Sequence, residues 1–122
     1  MSLGIVMVSH VSDVVQGIER LIREVAQDVS ITLAGGTEDN GVGTSFEKIS
    51  AAFEANEADT ILAFYDLGSA KMNLEMAMEM TDKEVILFDT ALLESSYTAA
   101  ALIQAGADFD VIKEQLQPLK VK

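Results

Sequence analysis

The chain has 122 residues, 49% of them hydrophobic and none of them cysteine, which suits one domain and leaves no disulfide framework, thiolate metal site or cysteine nucleophile. Acidic residues outnumber basic ones 20 to 8, and the formal net charge of -12 repels a nucleic-acid backbone over most of the surface. Met1-Ser2-Leu3-Gly4-Ile5 carries no basic segment and no apolar run nears the ~20 residues of a membrane helix, so a cytoplasmic protein without membrane contact is expected.

Apolar, β-branched runs alternate with helical patterns along the whole chain, the signature of repeated strand-helix units and a parallel sheet. The first strand, Leu3 to Ser9, runs straight into His10. A helix follows from about Asp13 to Gln27, with Val14, Val15, Ile18, Ile22 and Val25 at helical spacing and Ser12 or Asp13 as its cap. The second strand, Val29 to Ala34, leads into Gly35-Gly36 and then Gly41-Val42-Gly43. The second helix opens at Thr44-Ser45-Phe46-Glu47, where Thr44 and Glu47 have the spacing of a capping box, and Phe46, Ile49 and Phe53 form its buried stripe.

The third strand, Asp59 to Tyr65, ends on Asp66-Leu67-Gly68-Ser69. In the third helix, Ser69 to Thr81, Met72, Met76 and Met80 lie along one line and Leu74 and Met78 along another. That apolar arc is wider than one core face needs, and both core packing and a subunit or partner interface account for it. The fourth strand, Glu84 to Phe88, is followed by Asp89-Thr90, a helix near Leu93 to Gln104 stopped by Gly106, and a last amphipathic set of Phe109, Ile112 and Leu116. With no repeat or linker, the expectation is one α/β domain over residues 1–122, an open, mainly parallel four-stranded sheet with helices on both faces.

Right-handed crossovers place the ligand crevice of such a sheet beyond the C-terminal ends of its strands, at the switch point. His10, the only histidine, stands at that edge. If the first and third strands pair, Asp66 is its neighbour: a carboxylate on one ring nitrogen fixes the tautomer and leaves the other as a nucleophile. Helix capping is the competing role for Asp66. Gly68 allows close backbone approach, N–H groups at the start of the third helix favour anionic oxygens, and Thr44, Ser45 and Ser69 add hydroxyl donors.

Other chemistries lack their residues. Gly35 to Ser45 contains no Gly-Lys-Ser/Thr ending, which removes the nucleotide-binding P-loop. One histidine and scattered acids do not make a metal site. A receiver domain needs an acidic pair where Ser9-His10 stands and a lysine after a fifth strand, and a flavodoxin needs a hydroxyl-rich phosphate loop that Ser9-His10-Val11-Ser12-Asp13 does not supply.

Taken together, Gly4-Ile5-Val6-Met7-Val8-Ser9-His10, Gly35-Gly36, Gly43-Thr44-Ser45 and Asp66-Leu67-Gly68-Ser69-Ala70-Lys71-Met72-Asn73 resemble the DhaM family. Its members are phosphotransferase subunits of dihydroxyacetone kinases driven by the phosphoenolpyruvate:sugar phosphotransferase system, and are related to mannose-type EIIA domains. The resemblance implies an EIIA-mannose-like fold with strand order 2-1-3-4 and a homodimer. It also implies that His10 accepts a phosphoryl group from phospho-HPr, with Asp66 orienting it and Ser9, Gly43, Thr44, Ser45, Gly68 and Ser69 in support. ADP on the DhaL subunit would receive the group, for use on dihydroxyacetone bound by DhaK, so ADP, ATP and Mg belong to DhaL and no cofactor is bound here. The segment Asp89-Thr90-Ala91-Leu92-Leu93-Glu94-Ser95 departs from the family pattern, lacking its proline and glycine. An EIIA for mannose-type sugar transport would share the site chemistry, and a non-catalytic α/β binding module is the rival from another class.

Overall fold

The computed structural model describes residues 2–122. Four strands form one parallel sheet in the order β2-β1-β3-β4: β1 (Leu3–Ser9), β2 (Ile31–Gly35), β3 (Thr60–Tyr65) and β4 (Glu84–Phe88). Five helices accompany them: α1 (Ser12–Ile22), α2 (Phe46–Ala55), α3 (Lys71–Met80), α4 (Leu92–Gln104) and α5 (Phe109–Leu116). Single 3-10 turns lie at Gly68–Ala70 and Gln117–Leu119.

Side chains alternate across each strand, so the two faces of the sheet build two cores. Ile5, Met7, Leu62 and Phe64 pack with Val15 and Ile22 of α1, Ala99 and Ala100 of α4, and Ile112 and Leu116 of α5. On the other face, Val6, Val8, Ile61, Ala63 and Tyr65 pack with Ile49, Ala52 and Phe53 of α2 and with Leu74 and Ala77 of α3. The fold class and strand order are those expected from the sequence. The chain leaves β1 toward β2 and then crosses back to β3, so the switch point falls between β1 and β3, whose register ends with Val8 opposite Tyr65.

Several boundaries differ from the sequence reading. Helix α1 stops at Ile22 rather than Gln27, where no glycine or proline announces the end. The Arg23 guanidinium donates to the carbonyls of Ala26 and Val29, and the buried Ala26 still donates its N–H to the Ile22 carbonyl at 2.9 Å, so one bonded turn carries the apolar rhythm past the regular helix. The N-cap of α1 is Val11, without a side-chain bond, so neither Ser12 nor Asp13 caps it. At α2 the cap is Ser45, whose Oγ accepts from the Lys48 N–H at 3.1 Å. That shifts the frame by one residue: Lys48 takes the place a capping-box glutamate would need, and the Thr44–Glu47 box does not form. The third helix begins one 3-10 turn early, at Gly68.

The wide apolar arc of α3 resolves into two parts. Leu74 and Ala77 are buried, whereas Met72, Met76 and Met80 are 72%, 47% and 74% exposed, so the methionine line lies outside both cores. Among the described residues no helix is long and apolar enough to cross a membrane.

Candidate active site

His10 and Asp66 follow the two adjacent central strands, and this adjacency brings them together. The Asp66 N–H donates to the Val8 carbonyl at 3.2 Å, extending the β1–β3 ladder by one step and fixing where the carboxylate emerges. Asp66 Oδ1 stands 2.9 Å from His10 Nδ1, and Oδ2 accepts the His10 backbone N–H at 2.9 Å. Two further donors complete the set, the Ser9 hydroxyl on Oδ2 at 2.8 Å and the Leu67 N–H on Oδ1 at 2.7 Å.

These bonds decide the electrostatics of the carboxylate. Burial pushes its pKa up, but the bonds from the His10 backbone and ring, Ser9 and Leu67 outweigh it and hold Asp66 below the ordinary aspartate value. An ionised carboxylate only accepts, so Nδ1 carries the imidazole proton and the lone pair belongs to Nε2. Nε2 lies 2.7 Å from the Ser69 hydroxyl, which donates to it in this arrangement. The imidazole keeps 17% of its side-chain surface open, enough for a group to approach from solvent.

The glycine-hydroxyl loops converge on the same edge but contribute unequally. The Gly43 N–H donates to the His10 carbonyl at 2.9 Å, tying the loop before α2 to the residue that follows β1. Gly43 has a φ of 145°, a backbone conformation that side chains rarely adopt, and a Cβ there would meet Thr37 Cγ2 at 2.8 Å. At Gly68 a Cβ would enter open space, so the fold itself does not demand glycine there. Ser9 is fully buried, and its hydroxyl both donates to Asp66 and accepts the Val11 N–H at 3.1 Å. Ser45 is also committed, as the cap of α2 and as a donor to Glu38 Oε1 at 2.7 Å. Of the expected hydroxyls, Ser69 alone touches the imidazole, while Thr44 Oγ1 accepts from Asn73 Nδ2 at 2.9 Å.

Asp66 does not cap the helix that follows it: the N-cap of the Gly68–Ala70 turn is Leu67, and no side chain caps it. Among the described residues, no group of three or more histidine, cysteine or acidic side chains is placed to hold a metal ion. A second polar cluster, which the sequence reading did not assemble, lies at the end of β3 and β4. The Tyr65 hydroxyl donates to Asp89 at 2.5 Å, Lys71 Nζ pairs with Asp89 at 3.2 Å, and Lys122 Nζ donates to the Tyr65 carbonyl at 2.9 Å. Burial and the Asp89 charge raise the Tyr65 phenol pKa, so this group serves as a donor and not as an acid near neutrality.

Residues 4–113 match the family model EIIA-man, described as the PTS system fructose IIA component. The chain is 51% identical, over 100% of its length and 99% of the relative's, to the PTS-dependent dihydroxyacetone kinase phosphotransferase subunit DhaM of Lactococcus lactis. It is 50% identical, over 98% of its length and 96% of the relative's, to the phosphoryl donor subunit DhaM of PEP-dependent dihydroxyacetone kinase 1 of Listeria innocua. A crystal structure of a protein of unknown function, EF1359, superposes with a TM-score of 0.85 at 28% identity, covering 100% of this chain and 98% of that one. The chain belongs to the EIIA-man family of phosphotransferase-system components and, within it, to the DhaM phosphotransferase subunits.

Proposed function

We propose that the chain is the phosphoryl donor subunit of a dihydroxyacetone kinase system, relaying a phosphoryl group through Nε2 of His10. The observation that carries this reading is the pinned imidazole, with Nδ1 at 2.9 Å from the Asp66 carboxylate and Nε2 facing a displaceable hydroxyl. The Nε2 lone pair attacks phosphorus in a donor phosphohistidine, on HPr by the family resemblance. The P–N bond of the donor breaks, its electron pair returns to the donor ring, and a new P–Nε2 bond forms. The ring keeps its Nδ1 proton and becomes cationic, a charge that Asp66 balances.

Ser69 then turns its hydroxyl from Nε2 to a phosphoryl oxygen, and the uncapped 3-10 turn at Gly68 offers backbone N–H groups to the same anion. In the onward step a β-phosphate oxygen of ADP, held by the DhaL subunit, attacks phosphorus and the P–Nε2 electrons return to His10. The labile P–N bond suits a carrier, since a serine phosphate would not pass on its group. Exposed apolar side chains adjoin the site in sequence: Val11 after His10, Leu67 after Asp66, Val42 before Gly43 and Met72 in the first turn of α3. They favour docking of other protein surfaces, whether relay partners or a second copy in a homodimer.

Incubation with enzyme I, HPr and phosphoenolpyruvate is expected to add one acid-labile phosphate per chain, and none to His10→Ala. A variant that still takes the label would remove His10 from the relay.

A further inference from the structure

We infer that Asn73 is a positioning residue for phosphoryl transfer, holding Thr44 so that its hydroxyl proton points at the phosphoryl group on His10; the inference rests on the relay reading above. Asn73 Nδ2 donates to Thr44 Oγ1 at 2.9 Å, so Thr44 spends a lone pair on this contact and keeps its proton. The proton has no acceptor among the hydrogen bonds of the described residues. The other hydroxyls of the edge are differently placed: Ser9 donates to Asp66, Ser45 donates to Glu38, and Ser69 is directed at Nε2 itself.

Two independent contacts hold Thr44 at the strand edge that carries His10. Its neighbour Gly43 is bonded through its N–H to the His10 carbonyl at 2.9 Å. Asn73 lies four residues beyond Ser69, one helical turn along from the hydroxyl that meets Nε2. The amide therefore bridges the loop before α2 to the start of α3, across the edge where the phosphoryl group must sit. An amide can anchor the threonine oxygen without accepting its proton. A carboxylate at the same place would accept that proton and turn the donor away from the phosphate, besides adding a like charge.

Phosphoryl uptake from phospho-HPr, measured as a single-turnover rate together with the thermal midpoint, tests this. Thr44→Val is expected to slow uptake about 10-fold or more, in the range for a lost positioned donor. Asn73→Ala is expected to be slowed less, and the double variant no further than Thr44→Val alone, because both act through one hydroxyl. Asn73→Asp is expected to be slower than Asn73→Ala although it keeps the side-chain shape. Multiplying effects in the double variant, or Asn73→Asp as fast as wild type, would overturn the assignment, as would rates that merely follow the thermal midpoints. Such results leave the relay reading in place as long as His10 takes the label, whereas loss of His10 labelling in the wild-type chain would strike that reading first.

Discussion

Asp66 accepts four hydrogen bonds, from the Ser9 hydroxyl, the His10 N–H, the His10 ring and the Leu67 N–H, which uses both oxygens and leaves the carboxylate one orientation. Asp66→Asn keeps the shape but brings an amide that can donate to Nδ1. The proton then moves to Nε2, and the nucleophilic lone pair is lost. Phosphoryl uptake is expected to fall by about 100- to 10,000-fold with the folded state retained, read by single-turnover labelling alongside circular dichroism. An unchanged rate would reduce Asp66 to a local brace for the turn. The pair His10 and Asp66 is legible in the sequence because both stand directly after strands and a parallel sheet places adjacent strand ends together. Asn73 is not legible in the same way. Its partner Thr44 is 29 residues away, on a loop whose path depends on two positive-φ glycines and on the Lys48 ammonium holding the Gly35 carbonyl and the Asn40 side chain.

At the scale of elements, strand identity follows from the apolar runs, whose bounds lie within two residues of the strands. Helix ends are less legible where side-chain bonds to the following carbonyls rather than a glycine or proline mark the exit, as the Arg23 bonds to Ala26 and Val29 do after α1. The end of α4 shows the opposite case. Gly106, at φ 87°, donates to the Ile103 carbonyl, and the Ala107 N–H reaches back to Leu102, a Schellman pair that the glycine alone announces. The other end of the sheet depends on Asn56, which follows α2 and is 2% exposed. Its amide donates to the Ile5 carbonyl at 3.0 Å and to Thr32 Oγ1 at 3.1 Å, and its Oδ1 accepts the Ala58 N–H at 3.1 Å. The side chain thus ties β1, β2 and the entry to β3 together far from His10. Asn56→Ala strips partners from buried polar groups and is expected to cost about 1–3 kcal/mol in denaturant unfolding. Transfer rates measured well below the thermal midpoint should stay near wild type, since His10 and Asp66 lie at the other ends of the strands; a large loss of rate without loss of stability would contradict this division.

For the molecule as a whole, acid acts through two opposed effects. With a net charge of -12 the folded chain repels itself, and protonating ordinary carboxylates on the way to a pI near 4.2 relieves that strain. Against this, Asp39, Asp59, Asp66 and Asp89 all have pKa values lowered from 3.8 by bonds formed in the folded state. A carboxylate whose folded pKa lies below its unfolded one binds fewer protons in the native state. Its stabilisation is complete above 3.8 and is lost as pH falls through the folded value. The windows therefore differ: repulsion is relieved first, and the bonded carboxylates give way afterwards. The thermal midpoint is expected to hold or rise slightly between pH 7 and about pH 5, then fall steeply below about pH 4. Asp66 is the member of the four that bonds the His10 ring, so its share can be isolated. The gap in thermal midpoint between wild type and Asp66→Asn should be widest near neutrality and should close as the pH drops below 3.8. A gap that stays constant to pH 2.5 would mean that the bonds around Asp66 contribute the same whether or not it is charged, and its hold on the His10 tautomer would then not depend on ionisation.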